Sequence, residues 1–142
     1  MKITCIAAFL FFLSSATLVY AQNYLGNLSS DPNSASNRSG AGSPYKKNGL
    51  NNRYGTYGSP YSNKSANNPY STQAPKLYDS KGNFRGNLNT NRYDKDSINN
   101  PYGKYGSKYS PDSLNNPYGA GSRFKKDSPN NRFGTGWKVY GQ

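Results

Sequence analysis

Between residues 93 and 140 one phrase returns every fifteen or sixteen residues: an aromatic, three residues, Ser-x-Asn-Asn, then Pro-Tyr-Gly or a close variant. Units open at Tyr93, Tyr109 and Phe124, and the last closes at Tyr140. The fifteen-residue form lacks an inner tyrosine, with GAGS at 119–122 against GKYGS at 103–107. A degenerate copy opens earlier at Tyr45 and Tyr61, with Ser30 standing where a further aromatic belongs. Each set of three units follows a short opening hexapeptide, NYLGNL at 23–28 or NFRGNL at 83–88, and ends alike, in KLY at 76–78 or KVY at 138–140. The chain therefore divides into residues 22–82 and 83–142, each an opening hexapeptide plus three repeats of about sixteen residues.

That phrase rules out long regular elements. In YSPDSLNN, Ser110 has the position of an N-cap and Pro111 suits the first helical residue. Tyr109 and Leu114 have the spacing of a hydrophobic staple. Asn115 and Asn116 tolerate left-handed backbone, and Pro117 pushes its predecessor to extended geometry, so any helix stops after one turn. Two segments read as β-structure. PKLYDSKGNFRGNL at 75–88 is a hairpin with a type I turn and glycine bulge over Asp79–Gly82, and GWKVYG alternates as a strand.

After residue 21 only eight aliphatic side chains of Leu, Ile or Val remain, beside seventeen aromatics. So little aliphatic matter does not order a chain of this length, and the expected fold is mostly irregular or disordered, with turn-rich repeats, the hairpin and a C-terminal strand. The alternative is a compact short-repeat solenoid in which the tyrosines stack as an internal ladder.

Residues 1–21 combine Lys2, an apolar run from Ile3 to Leu13 and small residues up to Ala21. That is the layout of a secretory signal peptide cleaved after Ala21, which places the protein outside the cell or in the periplasm and envelope, with no membrane-spanning segment left. Cys5, the one cysteine, leaves with it, so no disulfide is available.

The string NNPYGKYGSKYSPDSLNNPYGAGS resembles secreted bacterial repeat proteins built from NPYG-(x)YGS-x-YSPDS-type units, which share the opening GNL motif and a Gly-Trp near the C-terminus. The resemblance covers most of 75–142 and, more loosely, 23–74. It implies family membership and export, and it carries no mechanism.

The chain has no His and no Glu, and after residue 21 no Cys, so the usual general bases and thiol nucleophiles are missing and no enzyme or cofactor is expected. Asp94-x-Asp96 lacks the glycine and bidentate Glu of a calcium loop, so no metal is expected either. What remains is contact chemistry. Tyr102, Tyr105, Tyr109, Tyr118, Phe124 and Phe133 are the candidate ring contacts, and Lys104, Lys108, Arg123, Lys125 and Lys126 the candidate cations. With a formal charge of +12 on the whole chain, interleaved rings and cations suit an anionic polymer such as lipopolysaccharide, teichoic acid or extracellular DNA. Rings flanked by asparagine amides suit a cell-wall glycan, and Tyr/Asn/Gly-rich repeats also favour weak self-association. The sequence thus implies an exported, non-enzymatic structural or interaction protein acting through many weak contacts at the envelope or beyond it.

Overall fold

The computed structural model describes residues 22–29 and 34–142; the expected signal peptide lies outside these. Four short strands, β1 (Asn23–Leu28), β2 (Lys76–Tyr78), β3 (Phe84–Asn87) and β4 (Trp137–Gly141), form one antiparallel sheet in the order β1-β4-β2-β3. Among the described residues there is no helix, and the remainder is almost entirely turn.

Two of the expected β-segments are there. In the hairpin, the Gly82 N–H returns to the Asp79 carbonyl at 3.0 Å, and Gly82 takes φ 81, the positive value that a glycine bulge requires. Strand β4 alternates as expected, with Trp137, Val139 and Gly141 inward and Lys138 and Tyr140 on the other face. Strand β1, formed by the first opening hexapeptide, was not legible as a strand, because Gly26 sits at a bulge with φ 115 and breaks its alternation.

The pairing is reciprocal. Strand β1, which opens the first half, lies against β4, the closing strand of the second. Strand β3, which opens the second half, lies against β2, the closing strand of the first. The closing strands pair with each other through Leu77 opposite Val139, flanked by Lys76 opposite Tyr140 and Tyr78 opposite Lys138. Leu77, Val139 and Trp137 are almost completely buried there, joined by Leu25, Ile98, Tyr57, Tyr105, Ala35 and Ala120.

Regular structure is sparse, as composition leads one to expect, but the described parts of the repeats are ordered and not disordered. They run as β-turns placed end to end: Asn37 donates its N–H to the Ser34 carbonyl, Gly40 to Asn37, Ser43 to Gly40, Lys46 to Ser43, and so on through Gly55. Five three-residue steps make a fifteen-residue unit. Serine hydroxyls accept the N–H two residues on, as Ser107, Ser110 and Ser113 do from Tyr109, Asp112 and Asn115. Ser110 therefore starts a turn and caps no helix, and Tyr109 is exposed instead of stapled to Leu114.

Successive units are tied by asparagine. In four of the five pairs the first Asn sends its amide N–H group back to two carbonyls of the preceding unit: Asn51 to Ser36 and Gly42, Asn67 to Leu50 and Gly58 (both 3.0 Å), Asn115 to Ile98 (3.1 Å) and Gly106 (2.9 Å), and Asn130 to Leu114 (3.0 Å) and Gly121 (2.9 Å), whereas Asn99 reaches the single carbonyl of Asn89. None of the described non-glycine residues has positive φ, so the pairs do not use left-handed backbone. These rungs supply the order that a large aliphatic core supplies elsewhere, each net bond contributing about 1 kcal/mol. They also explain the Gly-Ser close. A Cβ on Gly42, Gly58, Gly106 or Gly121 would sit only 2.0, 2.3, 2.1 or 1.9 Å from a backbone oxygen where the chain doubles back on itself.

Candidate functional site

The consensus aromatics stand on the turn scaffold pointing into solvent. Tyr45, Tyr54, Tyr61, Tyr70, Tyr93, Tyr102, Tyr109, Tyr118, Phe124 and Phe133 are between 86% and 98% exposed. They fall into five pairs with a constant separation of nine residues, such as Tyr109 with Tyr118 and Phe124 with Phe133. One asparagine fixes each pair. Asn116 donates its amide to the Ser110 carbonyl, next to Tyr109, at 2.9 Å, and its Oδ1 accepts the Tyr118 N–H at 3.0 Å. Asn52, Asn68, Asn100 and Asn131 make the same two bonds in the other units.

Five of the six expected ring contacts, Tyr102, Tyr109, Tyr118, Phe124 and Phe133, belong to this exposed set. Tyr105 does not. It is 9% exposed and packs edge-on against Phe84, with ring centroids 5.3 Å apart. Its counterpart Tyr57 is also buried, accepting from Asn23 Nδ2 at 2.8 Å. These two are the extra residues of sixteen-residue units. The N–H of Ser59 or Ser107 reaches four residues back, to Gly55 or Gly103, and the inserted tyrosine turns inward. In the fifteen-residue unit Ser122 reaches only three back, to Gly119, and Ala120 fills the core instead. The length variation is thus the sequence signal that separates core tyrosines from surface ones.

Among the expected cations, Lys108, Arg123, Lys125 and Lys126 are exposed. Lys104 is partly committed within the protein: its Nζ lies 3.7 Å from Asp112 and 5.5 Å from the Tyr105 ring centroid. Lys108 shares a shallow groove with Tyr109 and Tyr118, and Arg123 and Arg132 share a larger one with Tyr118, Phe124 and Phe133. Arg132, another of the cations interleaved with the aromatics, lies 6.0 Å from the Phe133 centroid. Lys125 and Lys126 line a different groove, beside Asp79, Asp112 and Asp127. The structure therefore gathers Lys108 and Arg123 with the rings and places Lys125 and Lys126 apart.

Arg85 holds that second groove together. Its guanidinium donates to Asp79 Oδ2 at 2.8 and 3.0 Å and to Asp112 at 3.1 Å. Burial alone would raise the Asp79 pKa, but the Asn83 N–H, the Arg85 guanidinium and further donors outweigh it and hold the carboxyl below its usual range. Asp94 behaves alike: burial opposes ionisation, and the Asp96 N–H with the Asn87 and Asn89 amides reverses the balance.

A second aromatic surface, on the outer face of the sheet, was missed from sequence. Tyr24, Tyr140, Tyr78 and Phe84 form a row with successive centroids 5.6, 5.8 and 6.0 Å apart. Period-two alternation in β4 would have placed Tyr140 there, but the row needs the strand order, which joins residues far apart in the chain.

Among the described residues, no helix is long and apolar enough to cross a membrane, and no group of three or more His, Cys, Asp or Glu side chains is placed to hold a metal ion. The chain matches no family model, no curated protein and no solved structure.

Proposed function

We propose that the chain is an exported, non-enzymatic interaction protein that holds an extended anionic polymer of the envelope or the extracellular space through many weak ring and cation contacts. The observation that carries this reading is the set of ten exposed aromatics held in five equivalent pairs by backbone-bonded asparagines. Each ring leaves about 2–3 kcal/mol of apolar transfer available to a partner. A scaffold that orders the backbone beneath the rings in advance reduces the entropy lost on binding, and repeated sites raise the effective concentration of the next contact.

Charge favours a polyanion over a neutral glycan for this array. The asparagine amides that would serve sugar hydroxyls beside the rings are already donating to backbone carbonyls. Stacking and charge remain, from Arg123, Arg132 and Lys108 among the rings. The test is retention of residues 22–142 on immobilised heparin, then on lipopolysaccharide or lipoteichoic acid. Retention falls steeply with salt if phosphate or sulfate neutralisation drives binding. Replacing Tyr109, Tyr118, Phe124 and Phe133 together by Ala lowers it at constant charge. Salt-independent retention, or retention unchanged by loss of the four rings, refutes the proposal.

A further inference from the structure

We infer that the cleft between the β2–β3 hairpin and the Asn87–Asp96 segment is a binding site for a single pyranose sugar. The inference does not rest on the exposed ring array, which uses other residues.

The cleft, of about 560 Å³, combines two kinds of wall. On one side are Tyr78 and Phe84, both part-exposed, with ring planes 65° apart and centroids 6.0 Å apart. Lys76 stands beside them, its Nζ 5.9 Å from the Phe84 centroid. The other side is acidic and amidic. Asp94 Oδ2 accepts from Asn87 Nδ2 at 3.1 Å and from Asn89 Nδ2 at 2.8 Å, and its Oδ1 accepts the Asp96 N–H at 3.0 Å.

That saturation of Asp94 has a consequence for its neighbours. A carboxylate only accepts, so it fixes the Asn87 amide with nitrogen toward Asp94 and oxygen away. Asn87 Oδ1 is covered and has no hydrogen-bond donor in the protein, so the acceptor this wall offers to the cleft is another one. On the same wall the Asp96 carboxylate has no hydrogen-bond or ion-pair partner among the described residues, although its backbone is fixed by bonds to Asn87 and Asp94.

The cleft therefore presents apolar ring surface, a carboxylate in want of donors at Asp96, and one ammonium donor. A pyranose fits all three. Its C–H face packs on an aromatic ring, vicinal hydroxyls donate to the two oxygens of the Asp96 carboxylate, and ring or hydroxyl oxygens accept from Lys76. A flat nucleobase fits less well, since rings tilted at 65° form no parallel-sided slot. An anionic ligand meets the Asp94 and Asp96 charges.

The probes are cellotriose, maltotriose and chitotriose, titrated into residues 22–142 and followed by calorimetry and by amide NMR shifts. The expected result is saturable one-to-one binding of at least one trisaccharide, with shifts centred on Lys76, Phe84 and Asp96. Asp96→Asn and Lys76→Met each weaken it roughly tenfold, the scale of one charge-assisted hydrogen bond. Neither side chain makes a hydrogen bond or ion pair within the protein, so both variants keep the fold, as near-ultraviolet circular dichroism verifies. Tyr118→Ala leaves the affinity unchanged. No saturation by any of the three sugars up to about 10 mM overturns the inference, that being weak even for a lone sugar site. So does an affinity indifferent to both cleft substitutions. A loss with Tyr118→Ala overturns it too, by assigning the sugar to the ring array.

Discussion

Replacing Asn115 by alanine isolates one rung of the repeat stack. Its amide donates to the Ile98 carbonyl at 3.1 Å and to the Gly106 carbonyl at 2.9 Å, in the preceding unit. Two net hydrogen bonds at about 1 kcal/mol each give a loss of roughly 2 kcal/mol, somewhat less where water reaches the freed carbonyls. For a chain of this size that corresponds to a melting-point drop of about 6–10 °C, at roughly 3–5 °C per kcal/mol. The assay is thermal and urea unfolding followed by the emission of the buried, single Trp137. Asn115→Asp sharpens the test. It keeps the shape but sets a carboxylate against two carbonyl oxygens, so it destabilises more than alanine and recovers in part when acid protonates it. Asn48→Ala is the control, at an exposed asparagine outside the rungs. A shift below about 1 °C for Asn115→Ala, or an aspartate variant as stable as the alanine one, refutes the reasoning.

Tyr105→Ala and Tyr57→Ala each cost about 3–5 kcal/mol by emptying a core site, whereas Tyr118→Ala stays within about 0.5 kcal/mol in the same urea titration. Gly121→Ala puts a Cβ 1.9 Å from the Leu114 oxygen, so it destabilises by at least about 2 kcal/mol, read as a lower urea midpoint. The carboxyls of Asp79 and Asp94 have folded pKa values below the ordinary aspartate value of 3.8. The unfolded chain therefore takes up these protons first. Their contribution is complete above the unfolded value and is lost as pH falls through the folded one. Urea midpoints at pH about 6 exceed those at pH about 3, and Asp79→Asn narrows the gap.

How much of this was legible in the residues follows the range of the forces involved. The hairpin was, because Asp79, Gly82 and the flanking apolar residues state their roles within a few positions. The turn residues were legible in kind: Ser110 is a local acceptor, though for a turn and not a helix. The rungs were not, since Asn115 reaches carbonyls seventeen and nine residues back, and propensity arguments see about four. Counting aliphatics missed the same thing and so pointed to disorder. At the candidate site, exposure of the consensus rings was an open alternative. Among the expected rings Tyr105 alone is buried, because it shares its Gly-rich surroundings with Tyr102 and differs by being the inserted residue; among the expected cations Lys125 and Lys126 lie apart, in a groove that only the fold brings together.

The order of strands also sets a timetable. Strand β4 supplies the neighbour of both β1 and β2, yet it comprises residues 137–141 and is made long after β1. Until it arrives, β1 has no strand to pair with, and the core that Trp137 and Val139 fill stays open. The turn repeats can wind as they emerge, one rung at a time, but the sheet that joins them waits for the final stretch. A chain made from its N-terminus thus remains unlocked through most of its synthesis and closes only when residues 137–141 are free to pair.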